Sequence, residues 1–388
     1  MDFHLAEIVP DDSCERPSEI WNEVIRLGTE RDLESFGYTD LVETDPELHA
    51  TRYADQRYII RVILLALPGS DPGGPRGQYG YRGVPARGPG GIEAGSLLGI
   101  ATLEVGREDN THLGEIADLL VTKGSRRRGI GTALLGASEN LVRRLGGTTL
   151  ALWAMSTAVT DQDHDIVIDP SGQVRLRTDD PAVRFALSHG YSFAQAERHN
   201  VQPLPVPAEV LIPALDASRA TAAGYQIVSW CGATPAQDLD SMARLYEAMS
   251  TDVPAGEVDY RREIYDADRV RVAEEQMLRS GELFTTAARH VTSGTLVAFT
   301  QLQAPHNRPE TVEQMYTGVL DGHRGHGLGL LLKATNCDLI CRERPTSRRI
   351  HTFNADENDH MLAINTLLGY RAEGICVAWQ KKLAESVG

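Results

Sequence analysis

The chain has 388 residues, of which 41% are hydrophobic and 24% charged, and its formal net charge is −16. This composition is typical of soluble globular proteins and excludes a disordered chain, a collagen-like fibre and a coiled-coil rod. At about 150 residues per domain, the length predicts two or three domains. No apolar run reaches the roughly 20 residues that cross a bilayer, the acidic start lacks signal-peptide features, and the charge disfavours nucleic acid and anionic membranes. We therefore expect a cytoplasmic monomer or homodimer with no nucleic-acid or membrane partner.

The predicted elements of the first half begin with a strand near residues 4–10 and a helix near residues 18–27. Apolar strands follow at residues 58–67, 96–105 and 114–121, and then a glycine turn leads into a helix that ends near residue 145. Two insertions interrupt this half. Residues 68–95 hold 10 Gly and 5 Pro and predict a mobile loop, whereas residues 156–180 predict a hairpin with its turn at 169–172.

The second half follows a Pro-containing linker and contains the same kinds of element. The sequence predicts a strand at 225–230, helices within 235–249 and 260–279, and strands at 283–291, 295–302 and 311–319. Strands and helices that end in a strand–turn–helix–strand unit indicate an α+β fold, with a mixed central sheet flanked by helices.

An internal repeat relates the two halves. RRRGIGTALL starts at Arg126 and RGHGLGLLLK starts at Arg324, 198 residues later. The match continues upstream, because Val121 and Val319 each lie five residues before their arginine, and a Glu lies eleven residues before it in both copies. A match at several separated points indicates a duplicated domain.

The repeated turn has the pattern Arg-x-x-Gly-x-Gly between a strand and a helix. Glycines allow close approach of the backbone, and the first turn of a helix offers unpaired N–H groups at its positive end, so this arrangement binds a pyrophosphate. A dinucleotide-binding turn requires a third glycine where Leu134 and Leu332 stand, and a phosphate-binding P-loop requires Gly-Lys-Ser/Thr, which neither copy has.

These residues resemble the signature of the GCN5-related N-acetyltransferases (GNAT), in which loop amides bind the pyrophosphate of acetyl-CoA. The resemblance covers both halves and implies two tandem GNAT-like domains related by duplication, an arrangement similar to that of mycothiol synthase without a close match to that enzyme. The implied division is 1–200 for the first domain, 201–223 for the linker and 224–388 for the second domain.

The resemblance also implies residues that bind acetyl-CoA, the expected cofactor. In the first half these are Leu120, Val121, Thr122, Arg126, Arg127, Arg128, Gly129, Ile130, Gly131 and Thr132. In the second half they are Gly318, Val319, Leu320, Arg324, Gly325, His326, Gly327, Leu328, Gly329, Asn354 and Asn358.

Candidate catalytic residues are Glu115 and Glu313, which occupy the position where many family members carry the general base. The alternative is that each Glu simply faces solvent on a half-buried strand. Many members also place a Tyr, the acid for the departing thiolate, four residues before the closing Gly-aromatic pair, but here Ala186 and Asn365 occupy those positions. Another residue then donates the proton, or the thiolate leaves without an acid, or one half is catalytically silent.

Charge suggests the class of acceptor. Residues 1–50 contain 14 Asp and Glu against 3 Arg. This acidic segment is either a solvated face or an electrostatic funnel for a cationic molecule. The leading hypothesis is an N-acetyltransferase that acts on a primary amine of a small, cationic molecule such as an antibiotic or amino-metabolite. The alternatives are an acyl-CoA-binding module with one or both halves non-catalytic, and a protein or peptide N-acetyltransferase.

No metal site is expected from the sequence. Asp161, Asp163 and Asp165 imitate the start of a calcium loop, but Ile166 and Gly172 stand where such a loop needs Gly and Glu.

Overall fold

The structure is a computed structural model that describes residues 2–10, 15–89, 92–156 and 165–384. Within these residues, thirteen strands form one mixed sheet and two short strands form a separate hairpin. The strands are β1 (Phe3–Val9), β2 (Ile59–Pro68), β3 (Arg82–Pro85), β4 (Gly99–Gly106), β5 (Leu113–Val121), β6 (Thr149–Ser156), β7 (Ile166–Ile168), β8 (Arg175–Arg177), β9 (Ser192–Pro203), β10 (Tyr225–Cys231), β11 (Gly281–His290), β12 (Leu296–Pro305), β13 (Thr311–Val319), β14 (Arg349–Ala355) and β15 (Arg371–Lys382). The helices are α1 (Ile20–Ser35), α2 (Pro46–Ala54), α3 (Ile130–Arg144), α4 (Pro181–Ser188), α5 (Ala208–Thr221), α6 (Leu239–Asp252), α7 (Ala267–Ser280), α8 (Leu328–Glu343) and α9 (Asp359–Leu367).

The order of the strands shows how the two halves join. Across the sheet they run β10-β11-β12-β13-β14-β9-β15-β6-β5-β4-β2-β1-β3. Strand β9, from the first half, pairs antiparallel with β14 of the second half, and β15, from the second half, pairs antiparallel with β6 of the first half. The two also pair with each other in the middle of the sheet. Each half therefore contributes its last strand to the other half.

This exchange extends into the hydrophobic cores. Val377 and Trp379 of β15 are buried in the cluster that holds Leu134 and Leu141 of α3. Helix α3 presents these side chains because its apolar residues recur at helical spacing along one face. The first-half core is thus completed by residues from the end of the chain.

The predicted linker, residues 201–223, is structured. It contains the end of β9 and helix α5, whose Leu211 and Ala214 join the second-half core with Ile340 of α8. Pro213 lies within α5, and proline argues against a helix in the sequence because it removes one helical hydrogen bond. The domain boundaries at residues 201 and 223 stay a prediction. The packing of α5 places this helix in the second-half core.

The prediction of a mobile loop at residues 68–95 is wrong for the part that contains β3. This strand pairs in parallel with β1 at the edge of the sheet and buries Val84 in a core cluster. The outer edge of β1 supplies the backbone partners that the Gly/Pro-rich composition conceals. The predicted hairpin is confirmed, since β7 and β8 pair antiparallel and Gly172 N donates to Asp169 O at 3.0 Å. Asp161 and Asp163 lie outside the described residues.

Helix α7 starts later than predicted. Asp266 caps it, accepting a hydrogen bond from Arg269 N at 2.8 Å, so residues 260–266 are not helical. This segment instead crosses to the first half, where Arg261 N donates to Asn110 Oδ1 at 2.7 Å. It forms one wall of the candidate site.

Candidate active site

In both halves, two parallel strands separate and open a cleft. Strands β13 and β14 pair only from Thr311 to Glu313, and β5 and β6 pair only from Leu113 to Ile116. A β-bulge lies just beyond each paired segment, where the register shifts across Met315 in the second half and Ala117 in the first. A bulge leaves backbone groups outside the ladder, so each cleft exposes hydrogen-bonding groups to a ligand.

The glycine turns have the same backbone in both copies. Arg127 and Gly129 have φ of 63° and 83°, and the matching Gly325 and Gly327 have φ of 81° and 68°. Helices α3 and α8 begin immediately afterwards, and neither has a hydrogen bond from a capping side chain. Their first amides are therefore available to an anion. The predicted cofactor residues of each turn thus come together in a geometry that fits a pyrophosphate.

The leading arginine of each turn braces the loop. Arg126 Nε donates to Val121 O and Arg324 Nε donates to Val319 O, both at 3.1 Å. Arg126 also pairs with Glu34 at 2.5 Å, while Arg324 pairs with Asp252 at 2.8 Å. Because a carboxylate already neutralises each guanidinium, the structure indicates that these two side chains shape the turn.

The last glycine of each turn serves helix packing. A Cβ on Gly131 would lie 3.3 Å from the Phe185 ring, and one on Gly329 would lie 3.2 Å from Ile364 Cδ1. These contacts bring α4 close to α3 and α9 close to α8. The sequence predicts that the glycines let the backbone approach the ligand. This explanation fits the positive-φ glycines of the turns, whereas Gly131 and Gly329 are needed for helix packing.

The predicted strand residues lie beside the clefts. Thr122 N donates to Leu98 O, just before β4, at 2.9 Å, and Leu320 N donates to Val297 O of β12 at 3.0 Å. Leu120, Val121, Gly318 and Val319 belong to β5 and β13, as predicted. Their role in binding a cofactor stays a prediction.

A cavity of about 390 Å³, here called the main cavity, fills the second-half cleft. Residues 314–317 of β13 and 352–355 of β14 line it, together with residues from the first half, among them Trp153 and Glu197. Residues 253–255, 260, 261, 263 and 265 cover it from the segment between α6 and α7. The site therefore draws on both halves.

Glu197 is a candidate functional residue that the sequence did not reveal. It lies on β9, lines the main cavity and has no ion-pair partner among the described residues. Burial raises the pKa of its carboxyl from 4.5 to about 7, and the nearby charges of Glu357 and Glu115 contribute. A carboxylate with a pKa near neutrality is suited to accept and release a proton at physiological pH.

Glu115 lies at the seam between the halves. Its Oε1 accepts a short hydrogen bond from the hydroxyl of Tyr260, a second-half residue, and a longer one of 3.4 Å from Trp153 Nε1. Burial raises the pKa of Glu115, while these two hydrogen bonds act in the opposite direction. Glu115 lines a second cavity of about 180 Å³, and Tyr260 lies between this cavity and the main one.

Glu313 has a different environment. Its carboxylate pairs with Arg308 at 3.1 Å, and Arg308 in turn donates to the backbone of Asp40 in the first half at 2.5 Å. On β13, the residues that line the main cavity begin at Gln314, one position after Glu313. The catalytic roles of Glu115 and Glu313 stay predictions, and the structure places Glu197 more directly in the cavity than either.

The predicted asparagines belong to a polar network beneath the cavity. Asn358 caps α9, since its Oδ1 accepts from Met361 N at 3.1 Å. Asn354 Oδ1 accepts from Asn365 Nδ2 at 2.7 Å, and Asn365 Oδ1 accepts from Lys333 Nζ at 2.8 Å. Asn354, Asn358 and Lys333 all line the cavity.

The described residues contain neither a metal-binding cluster nor a helix that could span a membrane. In residues 2–10, 15–89, 92–156 and 165–384, no group of three or more His, Cys, Asp or Glu could hold a metal ion. Within the same ranges, every helix is too short or too polar to cross a membrane.

Comparison with known proteins identifies the fold. Residues 81–164 match the model of the acetyltransferase (GNAT) family. A search of curated proteins gives no significant match. The similarity to mycothiol synthase therefore stays a prediction.

Solved structures extend the match to both halves. A tandem GNAT protein from the clavulanic acid biosynthesis pathway is 21% identical with a TM-score of 0.70, over 99% of this chain and 100% of that one. A GCN5-related N-acetyltransferase from Sphaerobacter thermophilus is 13% identical with a TM-score of 0.57, over 98% and 95%. A glucosamine N-acetyltransferase region in a fungal multi-domain GH3 β-N-acetylglucosaminidase is 14% identical with a TM-score of 0.57, and only 38% of that longer chain is covered. Residues 81–164 are therefore similar to the acetyltransferase (GNAT) family, and the whole chain has the fold of a tandem GNAT protein.

Proposed function

We propose that this protein is an acetyl-CoA-dependent N-acetyltransferase whose reaction takes place in the main cavity. The observation that carries the proposal is the position of Glu197, which lines the cavity where β13 and β14 separate, in the half whose glycine turn begins at Arg324. A positioned base, a cleft with open backbone groups and a pyrophosphate-binding turn are the parts that acyl transfer to an amine requires.

The residues of the second half fit the cofactor. Gly325, His326 and Gly327 are exposed, and the uncapped start of α8 follows them. Their amides would hold the pyrophosphate, and the separated backbone of β13 would lie along the pantetheine arm. Bound acetyl-CoA supplies an activated acyl thioester. The protein would orient that thioester.

Glu197 would remove the proton that makes the amine unreactive. At neutral pH its raised pKa leaves the carboxyl close to half ionised, so it accepts a proton from an ammonium more readily than an ordinary Glu would. Four tyrosines, Tyr246, Tyr260, Tyr265 and Tyr316, also line the cavity. Aromatic faces bind cations, so this wall suits a cationic amine.

The size of the cavity favours a small acceptor. A volume of about 390 Å³ lies in the range of small-molecule sites. A protein or peptide acceptor would need an open groove for the residues on both sides of its amine.

The first half lacks the matching chemistry. Cys376 lies six residues after Tyr370 on β15, as Glu197 lies six residues after Tyr191 on β9, and the two are register partners. Burial raises the pKa of the Cys376 thiol to about 12, so it cannot act as a base at neutral pH. Since the positive-φ turn and the uncapped start of α3 are kept in the first half, we propose that this half binds an acyl-CoA without catalysing transfer.

The test combines binding and turnover. Isothermal titration should detect acetyl-CoA binding, and an amine library with a thiol-release assay should find an acceptor. Glu197→Gln should abolish most turnover with acetyl-CoA binding intact, whereas Glu313→Gln should retain turnover, because Glu313 lies outside the cavity lining. Failure of the wild type to bind acetyl-CoA, or full activity of Glu197→Gln, would contradict the proposal. Turnover of peptides alone would contradict the small acceptor.

A further inference from the structure

Lys333 is a buried lysine with an unusual position in the molecule. It lies on α8, only 1% exposed, and lines the floor of the main cavity beside Asn354. Its Nζ donates to Asn365 Oδ1 at 2.8 Å and lies 4.8 Å from the centre of the Tyr370 ring. Among the described residues no Asp or Glu forms an ion pair with Lys333, and no carboxylate acts on its pKa.

Such a burial is costly for a purely structural residue. A charged ammonium without a carboxylate loses hydration that an amide and an aromatic ring replace only in part. An apolar side chain of similar length would fill the space at lower cost, and the first half has one at the matching position, the buried Leu135. The second half therefore retains an ammonium where packing alone does not require one.

We propose that Lys333 is the general acid of the second-half site and protonates the thiolate that leaves acetyl-CoA. This inference rests on the proposed function. Asn365, which accepts the hydrogen bond of the ammonium, occupies the position where many members of the family carry a tyrosine acid, and the matching first-half residue, Ala186, has no polar side-chain atom.

The proton balance of the step is complete. Glu197 takes one proton from the ammonium of the acceptor, and the free amine attacks the thioester carbon. The C–N bond forms, the C–S bond breaks, and the sulfur takes a proton from Lys333 Nζ. The nitrogen gives up its second proton as the amide forms, and that proton restores the ammonium of Lys333. One proton is released from Glu197 to solvent for each acetyl group transferred.

The surroundings of Lys333 tune it for this task. Burial lowers the pKa of its ammonium to about 8, while Cys337, one turn along α8, acts in the opposite direction. The ring of Tyr370, the residue before β15, lies beside its Nζ, and Glu197 and Tyr316 line the same cavity. At neutral pH the group stays charged, yet it gives up its proton more easily than an ordinary lysine whose pKa is about 10.4.

The test compares two acyl donors in the full-length protein. With acetyl-CoA, Lys333→Met should lower kcat about 100-fold or more, the usual contribution of a general acid. With the selenoester analogue of acetyl-CoA, whose selenol is far more acidic, the leaving group needs no proton and the variant should approach the wild type. Equal losses with both donors would show a structural role and overturn the proposal.

Lys381→Met is the matched control. Its ammonium lies over Tyr191, the counterpart of Tyr370, but it pairs with Glu139 and does not line the main cavity. This variant should keep its activity with both donors.

Wild-type pH profiles need no variant and cover the case in which Lys333→Met does not fold. With acetyl-CoA, kcat should fall as pH rises above about 8, and this fall should vanish with the selenoester. Wild type that acetylates no amine overturns the proposed function together with this inference. If Lys333→Met has the same kcat as wild type with acetyl-CoA, only the role of Lys333 is overturned. The same holds if the kcat of wild type falls above pH 8 equally with both donors.

Discussion

Replacing Glu197 by Gln should lower activity and raise stability, and the gain in stability should depend on pH. The carboxyl has an ordinary pKa of 4.5 and a pKa of about 7 in the folded protein, chiefly because it is buried. At 1.36 kcal/mol per pH unit, this difference corresponds to about 3 kcal/mol. Gln has the same shape and carries no charge, so it removes the cost of ionisation in the cavity.

The sign follows from the direction of the change. Folding raises the pKa, so the stabilising contribution of protonated Glu197 is fully present below pH 4.5 and is lost as pH rises through about 7. We therefore expect Glu197→Gln and wild type to have nearly equal free energies of unfolding at pH 4.5. At pH 8 the variant should be more stable by up to about 3 kcal/mol, an upper value because the half-buried carboxylate keeps some hydration.

Urea denaturation at the two pH values measures this difference. In the same samples kcat should fall by about 10² to 10⁴, the range for loss of a general base. Wild-type kcat/KM should rise with pH through about 7 as Glu197 ionises. A variant that is less stable than wild type at pH 8, or equally stabilised at both values, would refute the assignment of a buried, weakly solvated carboxylate.

Three further predictions concern other parts of the fold. Trp379→Ala should destabilise the protein by about 3–5 kcal/mol, because this β15 residue fills the first-half core; a loss below 1 kcal/mol by urea denaturation would contradict the strand exchange. Arg127→Gly should stabilise by about 0.5–1 kcal/mol, since Arg127 has a positive φ of 63°, whereas Arg127→Lys should give no gain by thermal unfolding. His323 lies directly before Arg324 of the second-half turn, and burial, His290 and His326 lower its pKa, so it gains positive charge only below pH 6.5. Acetyl-CoA binding should therefore tighten as pH falls below 6.5; titration calorimetry of His323→Gln should show a weaker pH dependence, and an unchanged dependence would refute an electrostatic contribution of His323.

Much of the fold could be predicted from the repeat. The offset of 198 residues that relates Arg126 to Arg324 also relates the bulges at Ala117 and Met315, and it relates the positive φ of Arg127 to that of Gly325. These features are local, because a turn and its flanking strand and helix are set by residues close in sequence. The sequence therefore correctly predicts the strand before each glycine turn, the helix after it and the hairpin at 169–172.

The composition of the site could not be predicted in the same way. Glu197 lies on β9, near the end of the first half. Nothing in the pattern of apolar and polar residues along β9 indicates that this strand pairs with β14 of the second half. Lys333 closes an apolar helical run, and its partner Asn365 lies 32 residues further along. The Gly/Pro-rich segment around β3 shows the same limit, because its order depends on the free edge of β1. Long-range pairing decides all three.

The exchanged strands also bear on how the molecule is made. Strand β15 begins at Arg371, more than 200 residues after β6 ends at Ser156, yet the two strands pair in the sheet. During synthesis the first half therefore cannot close its sheet until β15 has left the ribosome. The edge of β6 stays unpaired while the 214 residues between Ser156 and Arg371 are added, at about 5–20 residues per second. Because neither half completes its own sheet, the pair acquires its structure late and together, and a chain that stops early leaves both sheets with an unpaired edge.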